Sequence, residues 1–350
     1  MSSVIASTRF SVLDRSRTRE GHETAGALRD TVDLAREAEA LGFHRFWVSE
    51  HHGVPGVAGS APTVLAAAVA AATSTIRVGT GGVMLPNHRP LVVAEQFGVL
   101  ASLFPGRIDM GLGRSVGFTD GVRRALGHGK EDAEDFPGRL TELLGWIDGT
   151  QQAHPGVHAH PAEGLRIPAY VLAIGEGAAV AAAAGLPLVI GDLRGRDKAL
   201  RAIEVYRRDF RPSARAERPE VIVAGTVAVA GTEEAARRLL VPEAWAMAYS
   251  RTHGDFPPLA PAEAIESRAM TAKERELYER GLDGHIHGTE DQVTEQLERA
   301  IKETGADEVL VTTSTYDRGA LVDSLRRLAR ITRPQARGDE RTPQRGLDVR

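Results

Sequence analysis

The chain has 350 residues, 42% of them hydrophobic, enough for one large α/β barrel or two ordinary domains. Its 43 Lys and Arg against 47 Asp and Glu give a net charge of -4 with no dominant block of like charge, which excludes the electrostatic footprint of a nucleic-acid or membrane-surface binder. There is no cysteine, so disulfides, thiolate metal sites and cysteine nucleophiles are excluded.

From the N-terminus, MSSVIASTRF lacks a basic stretch followed by an apolar core and does not read as a signal peptide. No apolar run approaches the roughly 18 residues a membrane span needs, so a cytoplasmic protein is expected. Residues 10–13 read as a first strand. A helix follows with Leu28, Val32, Ala35, Ala38 and Leu41 at helical spacing, stopped by Gly42. Residues 43–49 form a second strand, and 62–73 an Ala-rich helix with Pro62 in its first turn. Strands at 77–81 and 108–113 flank a helix over about 90–104. Further strands are expected at 169–174, 188–190, 221–229 and 308–313, the last followed by a helix carrying Leu321, Leu325, Leu328 and Ile331 on one face. This alternation predicts βα units and a parallel sheet. Eight such units close as a (β/α)8 TIM barrel because each connection turns with the same hand, a doubly wound open sheet being the competing arrangement. The expected organisation is a single barrel domain over 1–335, with an insertion at about 245–288 and a polar tail at 336–350 expected to be disordered. The insertion and a His-, Pro- and Gly-rich excursion at 154–164 are expected to act as lids or binding loops.

Three of these strands end in clusters of His, Gly, Asn or Arg, and the carboxyl ends of barrel strands are where this architecture keeps its chemistry. Glu50-His51-His52 directly follows the second strand. A histidine at a barrel mouth can move protons or donate to a developing oxyanion. Alternatively, one His caps the strand and the other packs under the loop. A metal site would need further ligands, such as a His-x-His on the first strand, and Ser11-Val12-Leu13-Asp14 offers none. Gly79-Thr80-Gly81-Gly82 is too Gly-rich for a strand interior; it either lets the backbone approach a flat ligand or forms a bulge turning the corner. Gly111-Leu112-Gly113-Arg114-Ser115 has the wrong spacing for a dinucleotide fingerprint. Arg114 beside Ser115 suits a phosphate or carboxylate, with a plain salt bridge to a neighbouring loop as the alternative.

The order SEHH, VGTGGVMLPNHRPLVVAEQF and GRIDMGLGRSVG resembles the bacterial luciferase-like flavin-dependent monooxygenases. GLPLVIG with the helix ending YRRDFRPS, and ETGADEVLVTTSTYD with its helix, are similar to later units of that family, so the resemblance runs from about Phe10 to Ile331. It implies a (β/α)8 barrel that binds reduced FMN, activates O2 and oxygenates an organic substrate. His51 falls on the family's active-site histidine. Gly81 and Gly82 fall on a dipeptide that often adopts a non-prolyl cis bond beneath the isoalloxazine ring, and Arg114 on the arginine that helps hold the flavin phosphate. Gly113 replaces the luciferase cysteine, so light emission is not implied. Where luciferases place a Glu-Ser stretch and a Thr near the phosphate, this chain has Ala173, Ile174 and Gly177. The backbone N–H groups of Gly175, Gly177 and Ala178 are expected to serve instead, opposed by Glu176. Weak binding of oxidised flavin follows. A separate flavin reductase is expected as partner, with a deazaflavin-dependent hydride-transfer enzyme and a non-catalytic flavin-binding relative as the alternatives. The small side chains of 62–73 let another helix approach closely, as related enzymes do when they dimerise through this region, or bury the helix within the chain; a homodimer is expected. The Ala-, Gly- and Arg-rich composition suggests a GC-rich, actinobacterial coding sequence and hence a polyketide-type substrate and a role in antibiotic biosynthesis.

Overall fold

The computed structural model describes residues 4–191 and 196–332. The strands are β1 (Arg9–Asp14), β2 (Arg45–Val48), β3 (Arg77–Thr80), β4 (Val83–Met84), β5 (Ile108–Gly113), β6 (Ala169–Ala173), β7 (Leu188–Ile190), β8 (Val221–Gly225), β9 (Val227–Val229), β10 (Ile286–Gly288) and β11 (Glu308–Val311). Every pairing among them is parallel, and the ring β1-β2-β3-β5-β6-β7-β8-β11 closes through the β3–β5 and β1–β11 contacts. This is the (β/α)8 barrel expected, not an open sheet. The run anticipated at 221–229 breaks at Thr226: β8 stays in the barrel, while β9 leaves it to pair with β10. Likewise β4 resumes beyond Gly81-Gly82 and pairs with the end of β5.

Side chains on a strand point alternately to opposite faces, so each barrel strand serves two cores. Phe46 and Val48 of β2, Val221 and Val223 of β8, and Val309 and Val311 of β11 pack outward against the helices. Trp47, Ile222, Ala224 and Leu310 alternate with them and fill the interior beside Leu13, Tyr170 and Val189. Burying such side chains stabilises the fold by roughly 1.5–3 kcal/mol each. The helix Thr24–Ala40 ends where Gly42 takes a φ of 77°, a conformation that disfavours other residues. The helix Glu233–His253 begins from a Thr232 cap and contains Trp245. With the short helix Ala262–Glu266 it builds a satellite core around Leu240, Ala244, Trp245 and Ile265. The tail at 336–350 lies outside the described residues.

The amino-terminal end of the barrel is plugged by charge. Arg45, 1% exposed, donates to Asp109 at 2.9 Å and Glu308 at 3.0 Å. Arg77 and the Trp47 indole also donate to Asp109, and Ser11 donates to Glu308. Burial pulls the Arg45 guanidinium down, but Asp109 and Glu308 more than offset it and hold it firmly protonated. In a (β/α)8 barrel the amino-terminal end is a stability face and the carboxyl-terminal rim the place for chemistry, and this ion cluster sits at the former.

Candidate active site

The opposite rim collects the ends of β1, β2, β3, β5 and β6, and all the residues singled out above lie there. His51 follows β2. Its backbone N–H donates to Gly59 O at 2.9 Å, and its ring Nδ1 pairs with Ser49 Oγ at 3.2 Å, leaving Nε2 for a ligand. Burial, then the charges of Arg15 and Arg17, lower the imidazole to about 4, so it is neutral at pH 7.

Glu50 is a hub rather than a spacer. One carboxylate oxygen pairs with His52 Nε2 at 2.7 Å and His88 Nε2 at 2.8 Å, while the other accepts the Met84 N–H at 2.8 Å. Burial pushes this carboxyl up, yet the two imidazoles and the amide bring it down to about 2. The hub ties the SEHH segment to the segment after Gly81-Gly82. The Glu50, His52 and His88 donor atoms all lie within 4.8 Å of one another, a spacing that also suits a metal ion. The pairing of Glu50 with His88 spans 38 positions, which is why SEHH alone did not disclose it.

The Gly81–Gly82 peptide is cis. A side chain on Gly81 would run into Leu13 and lie 3.2 Å from Trp47, and one on Gly82 would lie 2.8 Å from Gly111 O. Gly82 is therefore demanded by the backbone of β5, whereas at Gly81 a side chain would need Leu13 to move. Gly113 differs: a Cβ there would meet only Val83 O, at 3.9 Å, so the backbone is open at that point of the rim.

Arg114 and Ser115 are exposed just beyond β5. Arg114 makes a salt bridge of 3.2 Å to Glu176, with the two side chains 50% and 88% exposed. Gly175 takes a φ of 112°, and Gly177 opens the helix Gly177–Ala184. The Ala178 N–H, expected to face an anion, instead closes a turn onto Gly175 O at 2.9 Å; the Gly175 and Gly177 amides remain the candidates. A second cation joins them. Lys198 Cε lies 3.1 Å from the position a Gly175 side chain would take. Lys198 comes from the helix Arg196–Asp209, and nothing in its local sequence marks it. Two cations and two glycine amides fit a phosphate, with Glu176 as the opposing charge.

The first rim loop was missed by sequence reading altogether. Arg15 and Arg17, just past β1, meet Glu243 from the helix Glu233–His253 at 2.9 Å and 3.4 Å. Burial pushes the Glu243 carboxyl up, but Arg15, Arg17 and His51 more than offset it.

Comparison with known proteins then decides the family. The luciferase-like monooxygenase family matches residues 8–308 of this sequence. The chain belongs to that family. It is accordingly an oxidoreductase built on the luciferase-like barrel. A luciferase-like monooxygenase of Escherichia coli (strain K12) is 36% identical over 317 residues, covering 90% of this chain and 94% of its own. An N-acetyl-S-alkylcysteine monooxygenase of Bacillus subtilis (strain 168) is 42% identical over 158 residues, 44% of this chain and 46% of that one. The crystal structure of apo-MsnO8 matches with a TM-score of 0.84 at 31% identity, covering 93% of this chain and 98% of that one. Among the described residues, no helix of this luciferase-like chain is long and apolar enough to cross a membrane.

Proposed function

We propose that this protein is the oxygenating component of a two-component system, using reduced FMN from a separate flavin reductase, and O2, to oxygenate an organic small molecule. The observation that carries this reading is the grouping on one rim of His51, the Gly81-Gly82 and Gly113 backbone, and the Arg114 and Lys198 cations beside the Gly175 loop. Arg114, Ser115, Lys198 and the amides of Gly175 and Gly177 would hold the flavin phosphate; Gly81, Gly82 and the open backbone at Gly113 would lie against the ring. When bound, the reduced flavin supplies the electrons that activate O2. His51 serves as the proton donor or acceptor through Nε2, because Nδ1 is committed to Ser49. Glu50 keeps this platform in place through the Met84 amide.

Glu176 occupies Arg114, which supports weak binding of oxidised flavin and a flavin that arrives reduced and leaves oxidised. The substrate is a small organic molecule taken up at the same rim. Polyketide-type metabolites, and S-alkylated acids of the kind named for the Bacillus subtilis relative, are the first classes to assay.

The test is an anaerobic spectral titration with reduced FMN and with a reduced deazaflavin, followed by admission of air and mass spectrometry of candidate substrates. Saturable FMN binding and products one oxygen atom heavier are expected, with His51→Ala lowering product formation by about 100-fold or more. Binding of the deazaflavin alone would transfer the protein to the hydride-transfer class. Binding of flavin without turnover, and no effect of His51→Ala, would leave a non-catalytic relative.

A further inference from the structure

The cluster behind His51 holds buried guanidinium N–H groups that no acceptor of the chain satisfies. Arg17 is 3% exposed, yet its Nε and Nη1 have no hydrogen-bond partner. Its Nη2 reaches Pro257 O at 3.3 Å. Arg15 Nη2 reaches Thr312 O at 3.2 Å and Ser314 Oγ at 3.3 Å, while its Nε is also buried without a partner. The contacts to Glu243 are ionic rather than directional, since neither Glu243 oxygen has a hydrogen bond. Nearby carboxylates are already engaged: Asp14 accepts from Thr31 and the Ser16 N–H, Asp30 pairs with Arg19 and Arg318, and Glu50 takes His52 and His88. Glu243 faces Arg15 Nη1 and Arg17 Nε and serves as counter-charge to both, but it leaves Arg17 Nη1 and Arg15 Nε without an acceptor. Buried N–H donors left without acceptors are costly and uncommon in folded proteins, so an acceptor from outside the chain is called for.

The lining beside these donors is apolar. The Arg17 guanidinium lies 4.2 Å over the Phe256 ring. Phe256 meets Phe118 edge to face with centroids 6.4 Å apart, and Phe118 is 51% exposed at the rim. The loop bearing Phe256 is pinned over the site by the Gly56 N–H, which donates to Phe256 O at 2.7 Å. Cationic donors at one end and aromatic faces at the other suit a monoanionic carboxylate on an apolar body.

We propose that Arg15 and Arg17, with Glu243 as their counter-charge, form the subsite for the carboxylate of an amphipathic organic-acid substrate, and that Phe118 and Phe256 receive its apolar body. This rests on the oxygenase reading for the identity of the ligand as substrate, but binding of the acid needs no flavin. Glu243 limits the subsite to a single negative charge and keeps the pair from holding it too tightly for release.

The experiment is calorimetric titration of the full chain, without flavin, with phenylacetate and octanoate against their uncharged amides. The acids are expected to bind about tenfold or more tighter than the amides. Arg15→Gln and Arg17→Gln should each erase that preference, and Glu243→Gln should strengthen binding of the acid. Should Arg17→Gln fail to fold by circular dichroism, Arg15→Gln and Glu243→Gln still give opposite, decisive signs. Equal binding of acid and amide, no binding of either, or no response to these variants would overturn the proposal. Titration of FMN against riboflavin in Arg15→Gln separates the sources of anion: an unchanged ratio is expected, and a collapsed ratio would assign the cations to the flavin phosphate and overturn the subsite. If the wild type discriminates acid from amide but binds no flavin, the oxygenase reading falls while the subsite stands.

Discussion

His51 is the side chain on which proton transfer would turn, and its neighbours set its charge. Burial and the cations Arg15 and Arg17 bring it to about 4, while Glu243 pulls the other way. A proton NMR titration of the imidazole should show a midpoint near that value, moving up in Arg17→Gln and down in Glu243→Gln; an ordinary midpoint near 6.5 in the wild type would refute the description. Stability follows the same shifts. The unfolded chain takes up the His51 proton between pH 6.5 and about 4 while the folded chain does not, so this contribution is full above 6.5 and falls as the medium is acidified. Glu50, lowered from 4.5 to about 2, adds stability above 4.5 that is lost as pH falls towards 2. Both act in one direction, and urea unfolding should become easier from pH 6.5 downward. At the phosphate loop, Glu176→Gln releases Arg114 and should tighten FMN by about two- to fivefold, as expected for an exposed ion pair; calorimetry showing weaker binding would reverse the assignment of Glu176 as competitor. The SEHH string made His51 visible because the strand-end position and the residue type sit side by side. Arg15, Arg17 and Glu243 stayed hidden because their meeting spans more than 220 positions, and a lone Arg on a loop looks solvated until something buries it.

Strands and helices were the most readable part. The eight barrel strands lie where apolar runs alternate with amphipathic ones, since a parallel strand buried on both faces must be apolar at nearly every position. The departures occur where a strand ends in contact with something else. Thr226 breaks the run at 221–229 because Val227 and Val229 turn from the barrel to bond with Thr313 and Ser324, and their strand takes β10 as partner. Gly79-Thr80-Gly81-Gly82 read from sequence as backbone approaching a flat ligand or as a bulge, and in the fold Gly82 is required by the carbonyl of Gly111. Charge inside the barrel was likewise unreadable: Arg45, Asp109 and Glu308 each look like ordinary strand-edge residues until the ring closes around them. Arg45→Met leaves Asp109 to Arg77 and Glu308 to Arg9 at 3.4 Å, removes the buried cation they share, and should destabilise the protein by about 3–5 kcal/mol in urea unfolding. A loss below about 1 kcal/mol would mean that the plug relaxes or takes up protons.

Across the assembled barrel, the proposed active-site rim and the buried ion plug occupy opposite ends. The ion plug closes the amino-terminal end, and the histidine, glycine and arginine clusters line the other. A side surface is distinguished too. Val64 on the helix Pro62–Ala72, and Val92, Val99 and Leu103 on the helix Pro90–Leu103, are 69%, 45%, 48% and 65% exposed. Exposed apolar side chains on these two consecutive helices support the expected homodimer. Light scattering should return twice the 37.5 kDa of one chain, and the double change Val64→Glu and Leu103→Glu should return one. A monomeric wild type would refute it.

Periodicity and strand-end residue types were enough to define the barrel, to point to one rim as the candidate site and to mark the ordered segments that carry the family resemblance, because those signals are local and repeat along the chain. Partnership between distant residues was not. Only closure of the ring brings Glu50 to His88, Lys198 to Gly175 and two arginines to Glu243, since burial and electrostatic coupling belong to neighbours in space, and neighbours in space are set by the fold as a unit.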